Sequence, residues 1–124
     1  MDKELEYYIS EVTTNFKRGT TEMLLLSLLT ERDWYVYELS KALKERSKGL
    51  FDIQGPSMYT VLYRMEKRGF VSTREEKIGR RTRVYYHILP EGEVYLRRIR
   101  EEYQAVSQGI AAVLQGTGEG DSNG

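Results

Sequence analysis

Cysteine is absent from the 124 residues. Its absence excludes disulfides, thiolate metal sites and cysteine nucleophiles, and it suits a reducing compartment. Histidine occurs once, as His87, between aromatic residues and an isoleucine, where it reads as a packed or edge residue rather than a general base. No Ser/His/acid set, metal-ligand spacing or Gly-rich phosphate loop accompanies it. Glu75 and Glu76 are adjacent in a strand-like run, so they point to opposite faces and make no catalytic pair. The longest apolar stretch, "MLLLSLL" (23–29), is far too short to cross a bilayer. The opening "MDKELEYYIS" is acidic and amphipathic, unlike a signal peptide. These absences predict one soluble, cytoplasmic, non-enzymatic domain with no catalytic residues, cofactor, metal or membrane contact.

Net charge is also missing, since 19 Lys+Arg meet 19 Asp+Glu. The balance is uneven along the chain. Gln54 to His87 holds eight basic residues against three acidic ones, a charge of +5, which leaves −5 for the rest. A basic middle in an acidic frame marks a module that meets an anion with one face.

Hydrophobic spacing divides the chain. Leu5, Ile9, Val12 and Phe16 recur at helical spacing within residues 1–18, an amphipathic helix broken by Gly19. Thr20 or Thr21 caps a second helix, apolar on nearly every side and therefore central. "ERDW" reads as a turn. A third helix runs from about Tyr35 to Arg46, with Val36, Leu39 and Leu43 inward and Lys41, Lys44 and Glu45 outward. Gly55-Pro56 opens a fourth helix that stops before Gly69. "FVSTREEK" and "TRVYYHIL" are rich in β-branched and aromatic residues around "IGRR", a two-stranded hairpin. The predicted class is mainly α with a small β-hairpin: a winged helix-turn-helix domain over 19–90, a long helix over 91–114 and a disordered tail over 115–124.

On a helical wheel of the fourth helix, Met58, Val61, Leu62 and Met65 share the core side. Thr60, Tyr63, Arg64 and Lys67 lie opposite, flanked by Ser57 and Tyr59. That outer face suits the major groove of double-stranded DNA, with Gln54, Ser57, Met58, Tyr59 and Thr60 nearest its entrance. Tyr63 is read as part of that face, with aromatic packing as its alternative. Arg80, Arg81 and Arg83 sit at the hairpin tip, where cations meet phosphates or the minor groove. A protein-interaction module on the same fold is the alternative. It would tend to show an apolar patch where this chain is basic and polar.

Leu96, Ile99, Tyr103, Val106, Ile110 and Val113 recur at alternating spacings of three and four. This heptad seam either pairs with a second copy, making a homodimer, or folds back onto its own domain. The N-terminal stripe is a second candidate for that interface.

The blocks "GTTEMLLLSLL", "YVYELSKALKE", "GPSMYTVLYRMEKRGFV" and "GRRTRVYYHILPEGEVYL" resemble those of PadR-type transcriptional regulators over about Gly19 to Leu96. The single heptad helix resembles the smaller subfamily. The resemblance implies a dimeric winged-helix repressor, controlling detoxification, efflux or aromatic-acid stress genes and released by a small molecule. It places Tyr59 and Arg64 in the recognition helix and Gly79-Arg80-Arg81 in the wing. Met58 stands where the family more often has leucine, and Leu89 where it often has threonine. Tyr103 stands where some smaller members hold an aromatic ligand with a tryptophan, which makes Tyr103 a candidate for stacking a small aromatic effector. Trp34 lies elsewhere and reads as a partly buried anchor.

Overall fold

The computed structural model describes residues 2–123. Helix α1 (Lys3–Arg18) begins where the Asp2 side chain accepts the Glu4 amide at 3.0 Å. Acidic Glu4 and Glu6 lie in its first turn and Lys17 and Arg18 in its last, each favoured by the helix dipole. No residue of α1 is buried. Helix α2 (Thr21–Leu29) follows and packs against α3 (Val36–Arg46), α4 (Pro56–Lys67) and α5 (Pro90–Asn123). It is central because Leu25, Leu26, Leu28 and Leu29 leave it no polar face.

Strands β2 (Val71–Ile78) and β3 (Arg81–Ile88) pair in register from Val71↔Ile88 to Ile78↔Arg81. The link is the two-residue turn Gly79-Arg80. Gly79 has φ +64°, and Arg80 has no positive φ. Gly at the first turn position is what a hairpin turn matched to strand twist requires. The hairpin gains a third strand, β1 (Trp34–Tyr35), in the order β1-β3-β2. This corrects the reading of the sheet as two-stranded: Glu31 is turn as expected, but Trp34 of "ERDW" and Tyr35, read as the start of the third helix, form a strand. Two residues are too few to show alternation, and their strand character comes from pairing with Tyr85 and Tyr86.

The core joins Leu25, Leu26 and Leu29 to Leu39 and Leu43 of α3, Met58, Leu62 and Met65 of α4, and Val71, Tyr86 and Ile88 of the sheet. Trp34 is buried too, and its indole N–H donates to the Leu28 carbonyl at 2.8 Å. The start of α5 closes this core. Leu96 is turned into it and Tyr95 stacks on Phe70 with ring centres 4.1 Å apart. Helix α5 continues past residue 114, the end expected from sequence, and through the residues read as a tail. Of that tail, Gly124 lies outside the described residues. Extending a formed helix adds one hydrogen bond per residue, which offsets the low helix propensity of the glycines there.

A candidate nucleic-acid interface

Helix α4 divides as its wheel predicts. Met58, Leu62 and Met65 are fully buried, whereas Tyr59 and Tyr63 are more than half exposed. Ser57, Thr60 and Lys67 are exposed on the same outer side. The Thr60 hydroxyl donates to the Pro56 carbonyl at 2.9 Å. Lys67 Nζ lies 5.6 Å from the centre of the Tyr63 ring. Gln54, just before the helix, donates its amide to Asp52 at 2.7 Å.

Arg64 is engaged inside the protein. Its Nε lies 2.8 Å from Glu22 Oε2, at the start of α2. The same carboxylate meets Arg68 at 3.7 Å and accepts the Tyr95 hydroxyl at 2.8 Å. One mostly buried acid therefore joins α2, α4 and α5. Burial and the bond to Glu22 both raise the Tyr95 pKa, so its hydroxyl stays a donor. In sequence Glu22 is only an acid in the first turn of a helix, because partners 42 and 73 positions away leave no local sign.

The wing is braced at its base. Arg83 is half-buried, with its guanidinium 4.4 Å from the Tyr35 ring centre, and its pKa is raised by a hydrogen bond with Tyr85, against the effect of burial. Tyr35 in turn packs on Tyr37 and Tyr85, with ring centres 6.2 and 5.7 Å apart. On the same face, toward the body of the domain, Asp33 accepts Arg74 Nη1 at 2.6 Å and His87 Nδ1 at 2.8 Å, with Arg74 over the Tyr85 ring. Burial pushes the Asp33 carboxyl up, but its bonds to His87 and Arg74 outweigh that and hold its pKa below the usual value. A lowered carboxylate stabilises the fold in full above the ordinary aspartate range and loses that contribution as pH falls through the lowered value. Arg80 and Arg81, at the tip, are exposed.

Tip and helix share a concavity. A cleft of about 1120 Å³ is bordered by Gln54 and Tyr59 at the start of α4 and by Arg81 and Arg83 of the wing, with α3 as its floor. The seam residues of α5 lie elsewhere. Leu96 belongs to the core, which removes it from the expected inter-copy seam, because the first turns of α5 close the domain before the helix runs clear. Ile99 is half-buried, while Tyr103, Val106, Ile110 and Val113 are exposed. Among the described residues, no group of three or more His, Cys, Asp or Glu could hold a metal ion, and no helix is long and apolar enough to cross a membrane.

Residues 25–98 match the profile of the "Transcriptional regulator PadR-like family". The chain is similar to a solved transcriptional regulator of Clostridium thermocellum, at 32% identity and TM-score 0.74, over 78% of this chain and 95% of that one. A PadR family regulator of Eggerthella lenta aligns at 26% identity and TM-score 0.83, over 91% of this chain and 97% of that one. A PadR-like regulator of Bacillus cereus aligns at 27% identity and TM-score 0.71, over 82% and 98%.

Proposed function

Starting from a chain that belongs to the PadR-like family of transcriptional regulators, we propose that it acts as a homodimeric repressor of a pseudo-palindromic operator. The observation that carries this is the shared cleft: Tyr59 of the recognition helix and Arg81 of the wing tip border the same space. A duplex lying across it meets the exposed face of α4 in the major groove and the wing arginines at phosphate or minor groove. The reading set is Gln54, Ser57, Tyr59, Thr60, Tyr63 and Lys67. Arg64 joins it through its Nη groups, since its bond to Glu22 uses Nε. Arg80 and Arg81 supply phosphate contact, and Arg83 chiefly holds the wing against Tyr35.

Dimerisation is supported by two uncovered apolar faces. Leu5, Ile9, Val12 and Phe16 on α1 and Val106, Ile110 and Val113 on α5 are all exposed in the single chain. Contiguous apolar residues left uncovered in this way mark interaction surfaces. Two copies about a two-fold axis set half-sites roughly one helical turn apart, about 34–36 Å. A repressor of this size works by occluding polymerase. Release by a small aromatic ligand stacked on Tyr103 completes the reading, supported by the exposed position of that ring on the same face.

The test is a titration against a duplex from upstream of the protein's own gene and against a scrambled duplex, at two salt concentrations. Salt-sensitive preference for the native duplex is expected, and no binding to either at low salt would end the DNA reading. Arg80→Ala combined with Arg81→Ala is expected to weaken binding to both duplexes and to flatten the log–log salt slope by about one to two units. An unchanged slope removes the wing tip from the phosphates. Tyr59→Ala is expected to cost operator binding more than about 1 kcal/mol with the thermal midpoint intact. An equal loss on scrambled DNA would make Tyr59 a positioning residue instead of a reading one.

A further inference from the structure

The floor of the cleft is basic, and neither α4 nor the wing supplies that charge. Lys41 and Lys44 of α3 and Lys48 just beyond it line the cleft, beside Tyr37. With Arg81 and Arg83 they make five cations against two acids, Glu45 and Asp52. Lys44 is partly neutralised by Asp52, 3.5 Å away. Among the described residues Lys41 and Lys48 make no ion pair.

Lys48 also breaks a local rule. It has φ +56° and is the one non-glycine residue at positive φ among those described. It occupies the C′ position of α3: the next amide, Gly49 N–H, donates back to the Lys44 carbonyl at 2.8 Å. That position favours glycine, because a Cβ is strained in the left-handed region. A lysine kept there at a conformational cost, aimed at a basic cleft, is an outlier of the kind found at working surfaces.

We propose that this cleft is the track of one DNA strand, with Lys41 and Lys48 as its phosphate ligands. The inference rests on the DNA reading above and extends it to an element outside the recognition helix and wing. The strand that separates the groove entered by α4 from the groove met by the wing has to pass between them, over α3. Five residues of helical rise, about 7.5 Å, and the two-residue turn after Arg46 separate Lys41 from Lys48. That separation lets the two lysines meet different phosphates of one strand. Lysine suits this duty, as a point charge that meets phosphate without demanding a base.

Lys48→Gly tests the idea without threatening the fold, since glycine is the residue the backbone favours there. Wild type, Lys41→Ala, Lys48→Gly and the double variant are titrated with operator and scrambled duplex across a salt series. Thermal midpoints are measured alongside, and Lys3→Ala on α1 serves as the unit-charge control. Each cleft lysine is expected to contribute roughly 0.9 of salt slope, and its loss to weaken both duplexes alike by about five- to tenfold at about 0.1 M salt. Lys48→Gly should do so with a thermal midpoint equal to or above that of wild type. Slopes unchanged in a wild type that binds operator would overturn the track and leave the DNA reading standing. So would the same slope change in Lys3→Ala, or a loss confined to the operator. A wild type that binds neither duplex takes both readings down together.

Discussion

Gly92→Ala is expected to lower the stability of the fold by about 3 kcal/mol, more than most single-methyl additions. Gly92 is buried in the first turn of α5, where a Cβ would overlap the Phe70 carbonyl oxygen and sit 2.9 Å from Ile88 Cγ1. That oxygen is not free to swing aside, because it accepts the Leu89 amide at 2.9 Å. Nor is Phe70, whose ring is stacked on Tyr95. Relief therefore requires moving the start of α5 off the sheet, at the expense of that hydrogen bond, the stack and the burial of Leu96. Chemical denaturation at fixed protomer concentration measures it: the midpoint should fall with the slope unchanged. Gly109→Ala, in the same helix with nothing within 4 Å of its added Cβ, should instead raise stability by about 1 kcal/mol. Equal effects at the two glycines would mean that the close approach at Gly92 relaxes at no cost.

Val106→Asp together with Ile110→Asp is expected to convert the protein to monomers and to lower operator affinity by about 10²- to 10⁴-fold. Both side chains are more than half exposed in the single chain, so the domain core has no stake in them. Two carboxylates per copy, facing two more across a two-fold axis, would have to be buried unpaired for the dimer to survive. Losing the dimer turns two linked half-site contacts into independent ones, and the lost effective concentration sets the drop in affinity. Sedimentation velocity and operator titration of one preparation test both parts. A dimer that survives the double change would move the interface to the stripe on α1. Ile99 is the poorer site for this experiment, because it is half-buried and a charge there would confuse folding with assembly.

Much of this architecture is legible in the sequence because it is written locally. Gly55-Pro56 marks the start of α4, and the wheel sorts Met58, Leu62 and Met65 from Tyr59 and Tyr63 by period alone. β-branched and aromatic runs around Gly79 mark the wing. What is hidden is whatever depends on distant residues meeting. Strand β1 exists because Tyr85 and Tyr86 lie beside it. Leu96 fits the heptad as well as Val106 does, and only the position of the sheet makes it core. Arg64 and Arg83 read as free cations for DNA, yet Glu22 and Tyr35, remote in sequence, hold them. The lysines of α3 are visible as an outward face, but the cleft they line is closed by the wing, 40 residues later.

The wing has a further property. From residue 73 of β2 to residue 82 of β3 every side chain is exposed, and burial returns only toward Val84 and Tyr86. The distal hairpin is thus held by its cross-strand hydrogen bonds, its side-chain pairs and the Gly79-Arg80 turn, with no core beneath it. A segment of this kind opens locally at a small fraction of the free energy that unfolds the whole domain. Its amide protons should exchange with solvent long before those of α2, and slow down once DNA is held. On the proposed DNA reading, Arg80 and Arg81 are carried on an arm that loses motion in gripping, and part of what their charges contribute is spent on stilling it.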